Sequence, residues 1–354
     1  MRKIVCLATS PWYPIPTRKQ QVMSRIPDAE ILYFDPSVTY LAPLKDKAAR
    51  PGLSNYKKEG VHPQENITVY SLPPVLPFFY KFRWINKLNQ RRMARFVRRK
   101  MQAHGFTDAV LWVYSPVTAD LVDLVPHKGL VYDCVDRHSA YGGLMDPTLV
   151  DRMELELAGK TDRTFATADA LAERLRAAQP NTVMIPNGAN FERFVQAAQP
   201  QPVPEDLRDI PHPIFGFVGA LQSCIEYDYL EAAAKARPDW SFVLIGKEKP
   251  GVDLTALHAM PNVHFLGLKP NEQLPQYLAH FDACLNLFAK SDLSKDVSPL
   301  KFYEYLATGR PIVSTRQPDQ ILQYAPLIEI ADSPEEFIAA CEASLADTAP
   351  ERTK

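Results

Sequence analysis

The chain has few cysteines, no long apolar run and no surplus of charge. Its five cysteines, Cys6, Cys134, Cys224, Cys284 and Cys341, stand singly. An odd number without CxxC or Cys/His spacing argues against a disulfide framework or a zinc site, and for a reducing compartment. Cys6 and Cys284 fall inside strand-like runs and read as small core residues. No apolar run of about 18 residues occurs and no signal peptide opens the chain, so a cytoplasmic protein without a membrane span is expected. The formal net charge of -1 indicates no polyelectrolyte partner for the chain as a whole. No G-x-G-x-x-G follows the first strand-like run, "KIVCLAT", which speaks against a nicotinamide dehydrogenase. The sequence also lacks internal repeats and low-complexity tracts.

What is present is an alternation of strands and helices. A length of 354 residues exceeds one typical core, so two domains are expected. The first half carries strand-like runs at "KIVCLAT", "EILYFDP", "ITVYSL", "AVLWVYSP", "GLVYDCV", "TFATA" and "TVMIPN". The second half carries "PIFGFVGAL", "SFVLIG", "VHFLGL", "ACLNLFA", "PIVST" and "LIEIA". These runs are continuously apolar, as suits parallel strands buried on both faces. Thr17, Asp146, Asn271, Ser298 and Ser333 are expected N-caps, with Pro147, Pro299 and Pro334 at first helical positions. The fold class is therefore α/β, with two Rossmann-like domains of parallel sheet facing a cleft. "VQAAQPQPVPEDLRDIPHP", Val195 to Pro213, has five prolines and reads as a linker. The expected division is a first domain over 1–195, a linker over 196–212 and a second domain over 213–354.

Charge is concentrated in one place. Lys81 to Lys100 hold nine Lys or Arg and no acid. At 100° per residue Lys87, Arg91, Arg95 and Arg98 form one stripe, while Ile85, Met93, Phe96 and Val97 lie on another face. Trp84 and Leu88 fall among the basic residues, and "PPVLPFFY" precedes them. This pattern suits peripheral contact with an anionic membrane; the plain alternative is the solvated face of an amphipathic helix. No nucleic-acid-binding motif accompanies it.

The segment "KDVSPLKFYEYLATGRPIVST" reads as a loop, a helix and a buried strand. Lys301 stands near the helix start, where the macrodipole disfavours a cation. Free amides there make an anion site, so a bound diphosphate would explain the lysine. Glu304, one turn on, can accept the two hydroxyl hydrogens of a ribose diol. The competing interpretation is a surface Lys–Glu pair at i,i+3, worth a few tenths of a kcal/mol. In the first half "VYDCVDRHS" ends a strand, making Asp133, Asp136 and His138 candidates for the acceptor side. A His or Asp near a reacting hydroxyl orients it or takes its proton. Local turn capping is the alternative for this set. Arg18 and Gln20, early in the helix after the first strand, are further candidates, against an ordinary exposed helix start.

"SPLKFYEYLATGRPIVST" closely resembles the donor-binding segment of the GT-B glycosyltransferases, especially the bacterial retaining family with sucrose- and trehalose-phosphate-type enzymes. That family carries an acid, seven residues, a glutamate, then "xxAxGxPVV"; Asp296 and Glu304 stand at this spacing. "IPNGANFERF", "TDRTFATADALAERL", "FVGAL" and "HFLGLKPNEQLPQYLAHFDACLNLF" resemble further family elements in order. "PWYPIPTRKQQVMSRI" and "VYDCVDRHSAYGG" resemble a subset acting in polysaccharide assembly. The resemblance covers nearly the whole chain. It implies a glycosyltransferase using a nucleoside-diphosphate sugar, with a saccharide or lipid-linked acceptor, at the inner face of the cell membrane. By resemblance Asp296 contacts the donor sugar and Glu304 the ribose, with Gly219, Lys247, Ser298, Leu300 and Lys301 on the donor side. Asp136, His138 and Asp296 are the catalytic candidates, and no metal or other cofactor is expected.

Two departures stand out. Relatives place an Arg and a Lys in the loop that is here "GALQSCIEYDYLEAAA", so Lys301, Arg18, Lys19 or Lys247 must meet the phosphate charge. The family's usual last helix, returning to the first domain, is short or missing in "DTAPERTK". A nucleotide-sugar 2-epimerase and a non-catalytic binding protein of the same fold are the alternatives.

Overall fold

Continuous apolar runs become parallel strands because each strand is covered on both faces. The computed structural model describes residues 1–14, 17–140 and 144–346. It divides into two compact units, Met1–Ile185 and Pro186–Lys354.

The first unit holds an eight-stranded sheet. Its strands are β1 (Arg2–Leu7), β2 (Ala29–Asp35), β3 (Val61–Gln64), β4 (Ile67–Ser71), β5 (Val110–Val113), β6 (Gly129–Cys134), β7 (Arg163–Ala166) and β8 (Val183–Met184). The order is β3-β4-β2-β1-β5-β6-β7-β8, and only β3 runs antiparallel to its neighbour. On β1, Val5 and Leu7 pack with Leu32, Phe34, Met93 and Val97 on one face. Ile4 and Cys6 pack with Ile31 and Tyr33 on the other. Neither side of the strand leaves room for polar alternation.

The second unit holds a six-stranded, wholly parallel sheet of order β11-β10-β9-β12-β13-β14. Its strands are β9 (Ile214–Val218), β10 (Ser241–Ile245), β11 (Val263–Gly267), β12 (Ala283–Asn286), β13 (Ile312–Thr315) and β14 (Glu329–Ala331). Phe215, Phe217, Phe242 and Leu285 fill one side; Val218, Val243, Ile245 and Cys284 fill the other. In each unit the chain winds outward from a central strand and then returns to its other side. These switch points, between β1 and β5 and between β9 and β12, are where such sheets bind ligands at their carboxyl ends.

The proline-rich stretch is not a linker. Residues 186–213 fold with the second unit, where Phe194, Ala197 and Leu207 are buried in its core. Asp206 there accepts hydrogen bonds from Lys269 and, at 2.8 Å, from Tyr277. Proline removes ladder donors, but it does not stop apolar side chains from packing. The caps at Asp146 and Ser333 are found as expected, with Pro147 and Pro334 opening their helices. Asn271 caps nothing, because a turn delays the next helix to Leu274.

The basic segment is one helix, Arg83–Ala103. Ile85, Met93 and Val97 are buried beneath it, whereas Lys87, Arg91, Arg95 and Arg98 are exposed. Trp84 is 67% and Leu88 50% exposed among them. Among the described residues no helix is long and apolar enough to cross a membrane.

Candidate functional site

In the second unit the β9/β12 switch point brings together the loop after β9, the loop after β12 and the Leu300–Thr308 helix. Gly219 follows β9 with φ +153°, and its amide donates to the Ile245 carbonyl at 2.9 Å. Gly246 follows β10, and a Cβ there would lie 1.8 Å from the Gly219 oxygen. Only glycine lets these two strand ends close together. The closure leaves room beside Gly219 for Lys301, whose Cδ lies 3.7 Å from the position a Gly219 Cβ would take.

Lys301 is held by aromatic rings. Its Nζ lies 4.1 Å from the Phe217 ring centroid and 4.4 Å from that of Phe288. Ring faces attract the ammonium, but they do not neutralise it. Among the described residues it has no carboxylate within ion-pair distance. Burial lowers its pKa to about 7, with Cys224 and Glu304 pulling it partly back. Glu304 follows on the same helix face. Burial raises its pKa to about 7, opposed by Arg193 and Lys301. A cation and a carboxylate thus sit half-buried on one face without a direct ion pair. The surface Lys–Glu pair is ruled out by this placement.

The helix start differs from its expected form. The helical residues begin at Leu300, with Pro299 in the cap position and no side-chain cap. Ser298 Oγ instead accepts from the amide of Asn187 at 3.0 Å, and Asn187 Nδ2 donates to the Ser298 carbonyl at 2.7 Å. Phe302 N–H donates to the Pro299 carbonyl at 3.1 Å. Helix geometry leaves the Leu300 and Lys301 amides without an intrahelical acceptor, as an anion site requires. Asp296 is buried in the turn that leads into this helix. Lys247 stands at the end of β10 with its side chain exposed.

Two residues of this site were not among the sequence candidates. Asn187 clamps the helix start from 111 residues away. Arg193 donates to Asn271 Oδ1 at 3.2 Å and acts electrostatically on Glu304. Both lie in "IPNGANFERF", so the motif was visible while its reach was not. Ser298→Ala is expected to lower stability by about 1–2 kcal/mol, since it strips a partner from a partly buried amide. Urea unfolding measures that loss.

The first unit builds a second polar cluster at its β1/β5 switch point. Asp133, at the end of β6, is fully buried and pairs with Arg18 at 3.1 Å. Its Oδ1 is buried and meets no donor. Lys19 is buried with its Nζ 5.4 Å from the Tyr114 ring centroid. Burial lowers its pKa, while Asp136 and Asp133 act the other way. His138 Nε2 donates to the Tyr114 carbonyl at 3.0 Å. Burial depresses its pKa, keeping the ring neutral, and Glu154 and Asp136 oppose this. Asp136 is half-buried on the same loop. So Arg18, Asp133, Asp136 and His138 are gathered as expected, and Lys19 joins them.

Gln20 does not join them. Its Oε1 accepts from the Thr17 amide at 2.8 Å, and its Nε2 donates to the Pro11 and Trp12 carbonyls at 2.6 and 3.3 Å. The amide is used up in shaping the loop, so Gln20 is a scaffold residue. Among the described residues no group of three or more His, Cys, Asp or Glu is placed to hold a metal ion.

Comparison with known proteins fits this geometry. Residues 212–347 match the family described as "Glycosyl transferases group 1". Over 260 residues the chain is 26% identical to the "Putative teichuronic acid biosynthesis glycosyltransferase TuaH" of Bacillus subtilis (strain 168). That match spans 69% of this chain and 65% of the relative, just under two thirds of its length. Among solved structures, sucrose-phosphate synthase from Thermosynechococcus elongatus superposes with a TM-score of 0.70 at 14% identity, covering 100% of this chain and 92% of the other. An E. coli structure described as "Trehalose-6-phosphate from E. coli bound with UDP-2-fluoro glucose" gives 0.70 at 13%, covering 99% and 93%. Residues 212–347 are therefore a glycosyl transferases group 1 domain, in a chain with the α/β architecture of the GT-B glycosyltransferases.

Proposed function

We propose that the protein is a glycosyltransferase that moves a sugar from a nucleoside-diphosphate sugar to a lipid-linked or polysaccharide acceptor, with retention, in the synthesis of a cell-surface polymer. The observation that carries this is Lys301 and Glu304, half-buried on one helix face at the β9/β12 switch point beside the Leu300 and Lys301 amides, which helix geometry leaves without an intrahelical acceptor. Diphosphate charge would be met by Lys301 and the Leu300 and Lys301 amides, the ribose diol by Glu304, and the sugar hydroxyls by Asp296. In the transfer the acceptor oxygen bonds to the anomeric carbon as the bond to the diphosphate breaks. The leaving diphosphate oxygen takes the acceptor proton, so the enzyme contributes positioning and charge stabilisation, with no metal assigned a part. Neutral His138, with Asp136 beside it, orients the acceptor hydroxyl. The names of two similar proteins support the substrate class: one is tied to teichuronic acid, the other is bound with UDP-2-fluoro glucose.

Incubation with UDP-, GDP- and dTDP-sugars tests the reaction. Acceptor-dependent release of the nucleoside diphosphate is expected with one of them. An epimerised nucleotide sugar without free nucleoside diphosphate would overturn the proposal.

The exposed basic face of the helix Arg83–Ala103 supports a reading in which this chemistry takes place at the inner face of an anionic membrane. Its exposed face sets Trp84 and Leu88 beside Lys87, Arg91, Arg95 and Arg98, none of which has an ion pair among the described residues. A cavity of about 600 Å³ lined by Arg95, Arg98 and Arg99 extends that face. Each cation near an anionic surface contributes about 1 kcal/mol. The double variant Arg91→Gln/Arg95→Gln should therefore bind phosphatidylglycerol-containing vesicles roughly thirtyfold more weakly. Unchanged sedimentation with such vesicles would remove this face from the proposal.

A further inference from the structure

A second cavity lies within the first unit, at the carboxyl ends of β1, β2, β4 and β5. It has a volume of about 140 Å³ and is walled by Leu7, Leu72, Val75, Phe79, Met93 and Leu121 among others. The polar side chains that reach it are mostly spent elsewhere. Asn89 serves the Leu76 amide and carbonyl at 2.9 and 3.0 Å. The Thr118 hydroxyl donates to the Ser115 carbonyl at 2.6 Å. Gln90, only 1% exposed, donates through Nε2 to Asn86 at 3.1 Å, and its Oε1 meets no donor. Thr9, Ser37, Tyr80 and Ser115 also line it, so the wall joins apolar side chains to a few hydroxyls and the one orphan acceptor of Gln90. An apolar cavity of about 150 Å³ takes up hydrocarbon the size of benzene, and Leu7, Leu72, Val75, Phe79, Met93 and Leu121 supply the apolar part of this wall.

Its position gives the room a use. Ser115 in the wall directly follows Tyr114, whose ring carries Lys19 and whose carbonyl holds His138. Thr9 in the wall opens the loop that leads to Arg18 and Lys19. The cavity and the cationic cluster are therefore both built at the carboxyl ends of β1 and β5, most of the cavity wall on the sheet face of Leu7 and Met93 and the Tyr114 ring on the face of Cys6. On the outer side, Leu72, Val75, Phe79 and Tyr80 line the cavity. Leu76, Phe78 and Phe82 of the same segment are exposed large hydrophobics. One stretch of chain thus presents apolar groups both to the cavity and to the surface beside the basic helix.

We propose that this cavity seats the first hydrocarbon segment of a lipid-phosphate acceptor, an alkyl or prenyl chain, with its phosphate turned toward Lys19 and Arg18. The inference rests on the lipid-linked reading of the acceptor given above and specifies where the lipid is held. Sugars would gain little from such walls, and inorganic phosphate would leave them unfilled. Hydrocarbon gains roughly fourfold in affinity for each methylene it buries.

Calorimetry on the full chain with methyl, butyl, hexyl and geranyl phosphate tests this. Affinity should climb with chain length and level off after about six carbons, the hydrocarbon a room of this size holds. Val75→Phe and Ala8→Leu, which fill the room from two walls, should abolish the gain while leaving the weak binding of methyl phosphate. Circular dichroism and donor binding by the second unit verify that each variant is folded. The chain-length series on the unaltered protein stands even where a variant fails to fold. A gain that persists in folded, filled variants would overturn the inference, as would affinity indifferent to chain length. Transfer to a prenyl-linked acceptor in vesicles separates the two claims. Activity there with an unaltered KM in filled variants leaves the lipid-linked reading standing and removes the cavity from it. Transfer to soluble saccharides alone, with no chain-length effect, removes both.

Discussion

Glu304→Ala is expected to weaken nucleotide-sugar binding by about 3–5 kcal/mol, or roughly two to four orders of magnitude in Kd. The carboxylate would accept two ribose hydroxyls, and a hydrogen bond to a charged group contributes about 1.5–3 kcal/mol. Titration calorimetry against the active donor, with UDP-, GDP- and dTDP-sugars as the starting panel, measures the loss. The fold should survive, because Glu304 makes no ion pair that the helix needs. Stability should even improve. Burial raises the Glu304 pKa from 4.5 to about 7, so the folded state holds a proton that the unfolded chain releases between those values. Its contribution to stability therefore falls as pH rises from 4.5 to 7, and stays low above that. Glu304→Gln removes this penalty and should raise the denaturation midpoint at pH 8 by more than at pH 5. A donor affinity unchanged in Glu304→Ala would reject the ribose role. A variant less stable than the parent at pH 8 would show that the carboxylate serves the fold instead.

The opposed effects on binding and stability suit a site built for a ligand. A cation and a carboxylate held apart and half-buried lose hydration without gaining a partner, which costs stability. In the proposed function a diphosphate and a ribose diol would supply the missing partners. Natural sites commonly trade stability for pre-organisation in this way.

Much of the scaffold was legible because parallel sheets bury both faces of their strands. Thirteen of the fourteen strands were read as apolar runs, from "KIVCLAT" at β1 to "LIEIA" at β14. The missing one, β3, has the sequence VHPQ and is mostly exposed. An edge strand that meets one neighbour and carries a proline has no pattern of its own. Lys301 and Glu304 were legible because helix spacing fixes which side chains share a face. Interactions between distant segments were not. The hydroxyl of Ser298 looked like a cap, yet Asn187 takes it from the far side of the sequence. Gln20 looked available, yet three backbone groups of its own loop consume its amide. The boundary moved for a similar reason. Proline spacing marks where ladders end, but Phe194 and Leu207 decide which core the segment joins. The absence of cations after Gly219 became intelligible only when the rings of Phe217 and Phe288 were seen holding Lys301 over the same strand ends.

That placement makes Lys301 the residue with the sharpest pH signature. Lys301→Met should cost about 2–5 kcal/mol in donor binding, the usual range for removing one side of a buried charge-assisted contact. In the empty protein burial holds the lysine pKa at about 7 instead of 10.5. Below pH 7 the folded state must bury a full ammonium. Between pH 7 and 10.5 it sheds a proton that the unfolded chain keeps, so stability rises with pH across that window. Binding runs the other way. A diphosphate bound as proposed would need the protonated lysine, so donor affinity should decline by up to tenfold per pH unit above 7. The ribose diol needs ionised Glu304, so affinity should also decline below 7. The parent protein is thus expected to bind donor best near pH 7, where both groups can be charged together. Lys301→Met should flatten the alkaline limb and keep the acidic one; Glu304→Gln should do the reverse. Calorimetric Kd values from pH 5.5 to 8.5 on the three proteins resolve these limbs. A lysine serving only to pack against Phe217 and Phe288 would leave the alkaline limb unchanged on substitution. Its loss in Lys301→Met alone would tie the charge of this side chain to the diphosphate.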